Sequence, residues 1–288
     1  MNHTLFIDGI AFWSPTLPGW DVARAALRGE ATVVQPPVAK PAPALLAANE
    51  RRRAPDAVLL ALEVASQALA ASGHPASAVA SVFASTHGDL AVTDALCKTL
   101  AADPLLLSPT RFHHSVHNAA SGYWAIGSGS AAASTALASF NETFATGLLE
   151  ACVQCTADAQ AVLLVACDTE ATGALRSVNP SRGLLAVALL LSPVRGAASQ
   201  WMLDWSVQEA AVSMPVLQSA AALTEPLAGL LTGLPTENAS AAALPLFEAL
   251  AAGEHCTRAW PLSASCALRL VLRPLLLRPL TGATQPAA

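Results

Sequence analysis

Residues that can bind metals or transfer protons concentrate in one part of the sequence, between His87 and His117. Four of the seven histidines lie there. His113, His114 and His117 resemble a metal cluster, because imidazole suits zinc and related ions. A zinc site needs three or four converging ligands, and no nearby Cys, Asp or Glu completes this set. We therefore expect ordinary loop histidines, with no bound metal and no cofactor.

The pair Cys152 and Cys155 is a second candidate, because its C-x-x-C spacing is shared by redox and zinc motifs. Thioredoxin-type pairs stand at the start of a helix after a strand, where the thiolate is stabilised. Here the pair lies inside a predicted helix, and we expect two small apolar residues on one helix face. Nucleotide binding has no support, because no G-x-G-x-x-G run follows a strand and no Walker motif occurs.

Ser121 is a third candidate, since its A-S-G context is typical of a nucleophile at a sharp turn. The hydrolase pattern G-x-S-x-G is not matched. A nucleophilic serine also needs a base and a group that orients the base. His117 is four residues away and could act as the base, but no third member is evident. Ser121 and His117 remain an alternative site, that of a stand-alone acyltransferase or thioesterase.

The elements that must position these residues follow from the apolar pattern. Unbroken apolar runs predict buried strands, and spacings of three and four predict helices. Residues 102–121 are expected to form a loop, and residues 122–130 to enter a helix. The predicted strands are residues 4–13, 78–85, 134–137, 161–167, 183–191, 201–207 and 267–272, and the predicted helices are residues 21–28, 55–71, 92–101, 141–159 and 239–252. This alternation favours an α/β layered fold whose sheet is covered on both faces.

Composition narrows the class of protein. Hydrophobic residues make up 53% and charged residues 12% of the 288, against a usual charged share of roughly 25%, which excludes intrinsic disorder. Apolar runs are too short for a transmembrane segment. A net charge of −5 argues against nucleic-acid binding. Six cysteines without an export signal predict a cytoplasmic protein with reduced thiols. The low share of charged residues has two explanations, a coding bias toward alanine or a surface that is buried against a partner.

One family resemblance rests on several motifs. The segment LSPTRFHHSVHNAASGYWAI at residues 107–126 is the longest. It is accompanied by RRR at residues 51–53, VFASTHGD at residues 82–89 and AVLLVACD at residues 161–168. Together they resemble the ketosynthase-like N-terminal family that accompanies aryl polyene and xanthomonadin-type pigment clusters, whose members are often called chain-length factors.

The resemblance implies a thiolase-like layered fold, α/β/α/β/α, with a truncated second half. It covers roughly residues 1–195, the expected ketosynthase-like half. Residues 196–280 would form a reduced C-terminal half that completes the fold, and residues 281–288 a disordered tail.

The resemblance also bears on activity. Active ketosynthases carry a T-A-C-S-S-G-like stretch, and its cysteine aligns with Ala119, whose methyl group cannot form a thioester. Beyond Pro193 the only histidine is His255, so the family's histidine pair is missing. The resemblance therefore implies a non-catalytic, chain-length-factor-like subunit in aryl polyene or polyketide pigment biosynthesis. It would form a heterodimer with a catalytic beta-ketoacyl synthase, contact acyl carrier protein transiently and shape the acyl tunnel.

Within that resemblance, residues 133–144 are expected at the dimer interface, where bulky side chains limit product length by steric exclusion. Plain core or interface packing is an alternative for each bulky residue. Residues 128–139 are rich in Ala and Ser and would allow two subunits to approach closely. The tunnel and interface candidates are Phe112, His117, Asn118, Tyr123, Trp124, Phe140 and Phe144.

Overall fold

The strands and helices follow the apolar pattern of the chain. This computed structural model describes residues 3–179, 181–209 and 236–275. The strands are β1 (His3–Ser14), β2 (Leu17–Pro18), β3 (Ala80–Ala84), β4 (Ser134–Leu137), β5 (Val162–Asp168), β6 (Leu185–Ser192), β7 (Trp201–Glu209), β8 (Cys256–Pro261) and β9 (Cys266–Pro274). The helices are α1 (Trp20–Leu27), α2 (Ala48–Arg51), α3 (Asp56–Ser72), α4 (Leu90–Ala102), α5 (Pro109–Ser115), α6 (Ala119–Ser128), α7 (Thr143–Ala157) and, in our numbering, α8 (Leu244–Ala252).

All of these strands belong to one sheet with the order β4-β3-β5-β6-β1-β7-β9-β8, and β2 pairs with β1. β3 runs parallel to β4 and β5, while the remaining pairs are antiparallel. Every residue of β3, β5 and β6 is buried, because helices cover both faces of the sheet. The parallel strands end at a common edge, and the candidate site lies there.

Alternate residues of β5 enter two separate cores. Leu164 faces a core shared with α1, α7 and α8, in which Phe144 and Phe247 are buried. Leu163 faces the other core, which α3 and α6 close with Trp124. The α/β prediction is confirmed, and the described residues form three layers of helix, sheet and helix.

The C-terminal part of the chain extends this sheet. β7 pairs with the N-terminal half of β1, from His3 to Ile7, and β9 and β8 follow. The five-layer order expected from the resemblance contains two sheets, whereas residues 3–179, 181–209 and 236–275 contain one. The reason is geometric, because the C-terminal strands pair in series with β1 and so extend the same sheet. Residues 281–288, expected to be disordered, lie outside the described residues.

Three details differ from the expectations. α5 occupies a stretch expected to be a loop, and it begins with two helix signals, the cap of Ser108 on the Arg111 amide and Pro109 in its first turn. α6 begins at Ala119 and not within residues 122–130. β8 was not predicted, because only Trp260 in it is fully buried and its apolar signal is weak.

β1 contains a bulge at Asp8, between Ile7 and Gly9. Gly9 lies against the backbone of α3, and a Cβ there would be 2.0 Å from the carbonyl oxygen of Ala68. The glycine is therefore required by close packing of the helix on the strand. Within the described ranges, no helix is long and apolar enough to cross a membrane.

Candidate functional site

Ala119, the residue predicted from the motif resemblance to take the place of a ketosynthase nucleophile, is the first residue of α6. Asn118 precedes the helix and is exposed, while Ala119 is half-buried. The methyl group of Ala119 packs with Tyr123 against a small apolar cluster. The cluster consists of Leu46, Val58, Leu59 and Leu62. The turn and the helix start are therefore present, but the reactive atom is not.

His117 and Ser121 both bond to the backbone and not to each other. The Nε2–H of His117 donates to the carbonyl oxygen of Ser85 at 2.7 Å. The hydroxyl of Ser121 donates to the carbonyl oxygen of Asn118 at 2.9 Å, and Ser121 is buried. A nucleophile needs its base within hydrogen-bonding reach, and in this structure each group already has a different partner.

The other histidines of this region contribute to packing. Nε2 of His114 lies 2.9 Å from the hydroxyl oxygen of Tyr123, which joins α5 to α6. Burial, together with His113, lowers the pKa of His114, and burial, together with Glu50, raises the pKa of Tyr123. Both shifts favour the uncharged forms. Within the part of the chain that the structure describes, no group of three or more His, Cys, Asp or Glu is placed to hold a metal.

Asp168, at the end of β5, is the centre of a buried polar network that the sequence did not indicate. Its Oδ1 accepts hydrogen bonds from the Ser85 hydroxyl at 3.0 Å and from the amides of Thr86 and His87 at 2.9 and 3.2 Å. Its Oδ2 accepts from the Ser240 hydroxyl at 2.7 Å. Burial raises the pKa of Asp168, and these hydrogen bonds oppose the rise. The signal in the sequence is an acidic residue directly after a fully apolar strand.

A cavity of about 260 Å³ lies beside this network. Thr86, His87 and Phe140 form one part of its lining, which we call the loop wall. Ala239, Ala241 and Ala242, which follow Asn238, form another part, which we call the alanine wall. Thr86 and His87 also belong to the turn that His117 holds through Ser85, so a hydrogen bond connects this turn to the segment that precedes α6.

The aromatic candidates occupy different environments. Phe140 is 80% exposed and Phe112 63%, whereas Trp124 and Phe144 are buried in the two cores. Phe140 has a φ of 48°, in the left-handed region that non-glycine residues rarely adopt. The structure therefore places Phe140 at the cavity and Phe112 on the surface, and Trp124 and Phe144 in core packing.

The β4 edge of the sheet lies beside Phe140. Among the described residues, β4 is the terminal strand and pairs on one side only, with β3. Its residues are exposed or half-buried, and the nearby Ile126, at the end of α6, is 85% exposed. An unpaired strand edge next to exposed apolar side chains is typical of an interaction surface.

The cysteine pair is buried in α7, as expected. Burial, together with Asp8, raises the pKa of Cys155 to about 12, and burial also raises the pKa of Cys152. A reactive cysteine requires a lowered pKa. Cys152 and Cys155 are therefore packing residues.

Comparisons with known proteins agree with this geometry. Residues 25–242 match the family model of the beta-ketoacyl synthase N-terminal domain. Among solved structures, the ketosynthase ApeO in complex with its chain length factor ApeC from Xenorhabdus doucetiae matches at 23% identity and a TM-score of 0.68, over 93% of this chain and 99% of the matched chain.

Two further structures match at lower identity. The ishigamide ketosynthase/chain length factor matches at 16% identity and a TM-score of 0.70, over 94% of this chain and 99% of the other. A type II polyketide synthase acyl-carrier protein in complex with its ketosynthase (AntDE:AntF) matches at 11% identity and a TM-score of 0.73, over 96% of this chain and 100% of the other. No curated protein sequence matches. The chain therefore has the thiolase-like α/β fold of ketosynthases and belongs to the beta-ketoacyl synthase N-terminal domain family.

Proposed function

We propose that this chain is a non-catalytic, chain-length-factor-like subunit that pairs with a catalytic beta-ketoacyl synthase in aryl polyene or polyketide pigment biosynthesis. The observation that carries the proposal is Ala119 at the first position of α6. The helix start is intact, yet a methyl group stands where an active ketosynthase has its thiol. A carbon–hydrogen group cannot attack a thioester, so condensation would take place in the partner.

The β4 edge of the sheet, beside Phe140, supports the heterodimer. In the part of the chain that the structure describes, β4 pairs on one side only, and Ile126 and Phe140 present apolar surface close to it. Burial of such a surface stabilises an association. Two of the similar structures are described as ketosynthase and chain length factor complexes, which is consistent with such a partner.

The cavity supports a role in acyl-chain selection. Phe140, which is largely exposed, contributes a bulky side chain to its lining, whereas the residues of the alanine wall contribute only methyl groups. Contact between a growing chain and Phe140 would stop elongation, because overpacking costs free energy. Acyl carrier protein would visit the pair transiently to deliver and remove acyl groups. We place the pair in the cytoplasm, where the thiols of Cys152, Cys155 and Cys167, buried in the core, would remain reduced.

The alternative function, a stand-alone acyltransferase or thioesterase, has less support. It needs the hydroxyl of Ser121 free to react and the imidazole of His117 free to accept its proton. Ser121 instead donates to Asn118, and His117 donates to Ser85. Neither hydrogen bond is directed toward the other member of the pair.

The decisive experiment is co-purification and product analysis with a catalytic ketosynthase from the same genome. We expect a stable one-to-one complex that extends acyl chains, and no turnover of acyl thioesters by this chain alone. Ser121→Ala should leave the activity of the complex unchanged. Acyl turnover by the isolated chain that Ser121→Ala abolishes would instead establish the alternative.

A further inference from the structure

We infer that Asp168 is a positioning residue that fixes the distance between the two walls of the cavity and thereby the product length that the site permits. This inference rests on the proposed function. Its basis is a single juxtaposition: one buried carboxyl group binds both the loop wall and the alanine wall.

The loop wall is held by one oxygen of this carboxyl group. Thr86 and His87 line the cavity, and their backbone amides donate to Oδ1 of Asp168 at 2.9 and 3.2 Å. The hydroxyl of Ser85 donates to the same oxygen and also accepts from the amide of Gly88. Because backbone groups are involved, the position of the loop itself depends on Asp168.

The alanine wall is held by the other oxygen and by the main chain of Asp168. Ser240 stands between Ala239 and Ala241, and its hydroxyl donates to Oδ2 at 2.7 Å. The side-chain amide of Asn238 donates to the carbonyl oxygen of Asp168 at 3.0 Å, and its oxygen caps the turn by accepting from the amide of Ser240. Both Asn238 and Ser240 are buried.

A rigid link is needed at this point because the walls are distant in sequence. Ser85 and Ser240 lie 83 and 72 positions from Asp168, in the turn after β3 and in the turn before α8. Asp168 is 1% exposed, so water does not compete for its oxygens. Buried donors and acceptors must remain paired, and this requirement keeps the two walls together.

The test removes the link to one wall only. Ser240→Ala abolishes the hydroxyl that binds Oδ2 and leaves the loop wall bonded to Oδ1. Ser199→Ala is the matched control, because the Ser199 hydroxyl is also buried and donates to a buried carboxylate, Oδ1 of Asp8, at 2.6 Å. Both variants lose one buried serine–aspartate hydrogen bond, but only Ser240 lies in a segment whose neighbouring residues, Ala239 and Ala241, line the cavity.

The readout is the product-length distribution of the complex with its ketosynthase. Ser240→Ala is expected to raise the ratio of longer products to the main product by about fivefold, as for loss of a hydrogen bond with a typical net contribution. Ser199→Ala should not change this ratio. Should Ser240→Ala not give a complex, Ser240→Cys, with its weaker donor, replaces it under the same criterion and a smaller rise is expected.

The conservative variant Asp168→Asn separates the effect of the hydrogen bonds of Asp168 from the effect of its charge. Asp168→Asn can accept the Thr86 and His87 amides on its oxygen and donate its amide to the Ser240 hydroxyl, so it should keep the wild-type distribution. The inference is overturned if Ser240→Ala matches the wild type, or if Asp168→Asn alters the ratio as Ser240→Ala does. If Phe140→Ala changes product length while Ser240→Ala does not, the proposed function stands and this inference alone fails.

Discussion

Two phenylalanines four positions apart should lose very different amounts of stability when truncated. Phe144 is 2% exposed and contacts Trp260 edge to face at 6.0 Å, whereas Phe140 is 80% exposed. Phe144→Ala should destabilise the chain by about 3–5 kcal/mol, the usual cost of emptying a core site. Full burial of Phe contributes about 1.5–3 kcal/mol. With only about one-fifth of Phe140 buried, Phe140→Ala should therefore cost about 0.5 kcal/mol.

Backbone strain at Phe140 adds a second expectation. Its φ of 48° costs a non-glycine residue about 1–2 kcal/mol. Glycine relieves this strain at an entropic cost of about 0.5–1 kcal/mol. Phe140→Gly should therefore be at least as stable as Phe140→Ala, the reverse of the usual order.

Urea unfolding followed by tryptophan fluorescence measures all three variants. In the ketosynthase complex, Phe140→Ala should also shift the products toward greater length. A cost above about 2 kcal/mol for Phe140→Ala, several times what its buried fraction can contribute, would refute the placement of Phe140 at the surface. Unchanged product length with unchanged stability would refute its role in the tunnel.

Three other perturbations test separate parts of the structure. Gly9→Ala should cost about 1–3 kcal/mol in urea unfolding, because its Cβ meets the Ala68 carbonyl at 2.0 Å; a neutral effect would contradict this packing. With a thiol reagent, the exposed Cys97 should react first and the buried Cys152 only on unfolding. If a Cys97→Ser variant keeps the fast phase of the thiol reaction, the assignment of that phase to Cys97 is wrong. Because its pKa is raised on folding, Asp168 favours the native state most below its unfolded pKa of about 3.9. The unfolding free energy of the wild type should therefore fall, relative to that of Asp168→Asn, as the pH rises above this value. If the difference between the two unfolding free energies stays constant with pH, the raised pKa of Asp168 is refuted.

The strands of the sheet could be predicted from the sequence more fully than the candidate site. β5 and β6 were predicted because continuous apolar runs indicate buried strands. The family was predicted from the motifs, and the comparisons confirm it. The start of α6 was predicted within residues 122–130 and lies at Ala119 instead. The role of Ala119 as the replaced nucleophile stays a prediction. α5 was expected to be a loop because of its two adjacent histidines, although Ser108 and Pro109 are valid signals of a helix start.

The network of Asp168 was beyond sequence reasoning for a physical reason. Serine occurs in most turns, so neither Ser85 nor Ser240 stands out, and no local pattern links residues that meet only after the sheet has formed. The division between exposed Phe140 and buried Phe144 was similarly inaccessible. It depends on where the turn at Phe140–Glu142 ends and α7 begins.

The interior position of β1 has a consequence for how the chain folds. Phe6 pairs with Ser192 and Leu5 with Leu203, so β1 cannot complete its pairing until the distant strands β6 and β7 have been synthesised. Contacts so distant in sequence slow folding. β4, β3, β5 and β6 can assemble earlier, and β1 then closes their edge and offers its own to β7. Deletion of residues 3–14 would therefore divide the sheet into two pieces, and the amino-terminal strand acts as the late-forming link between them.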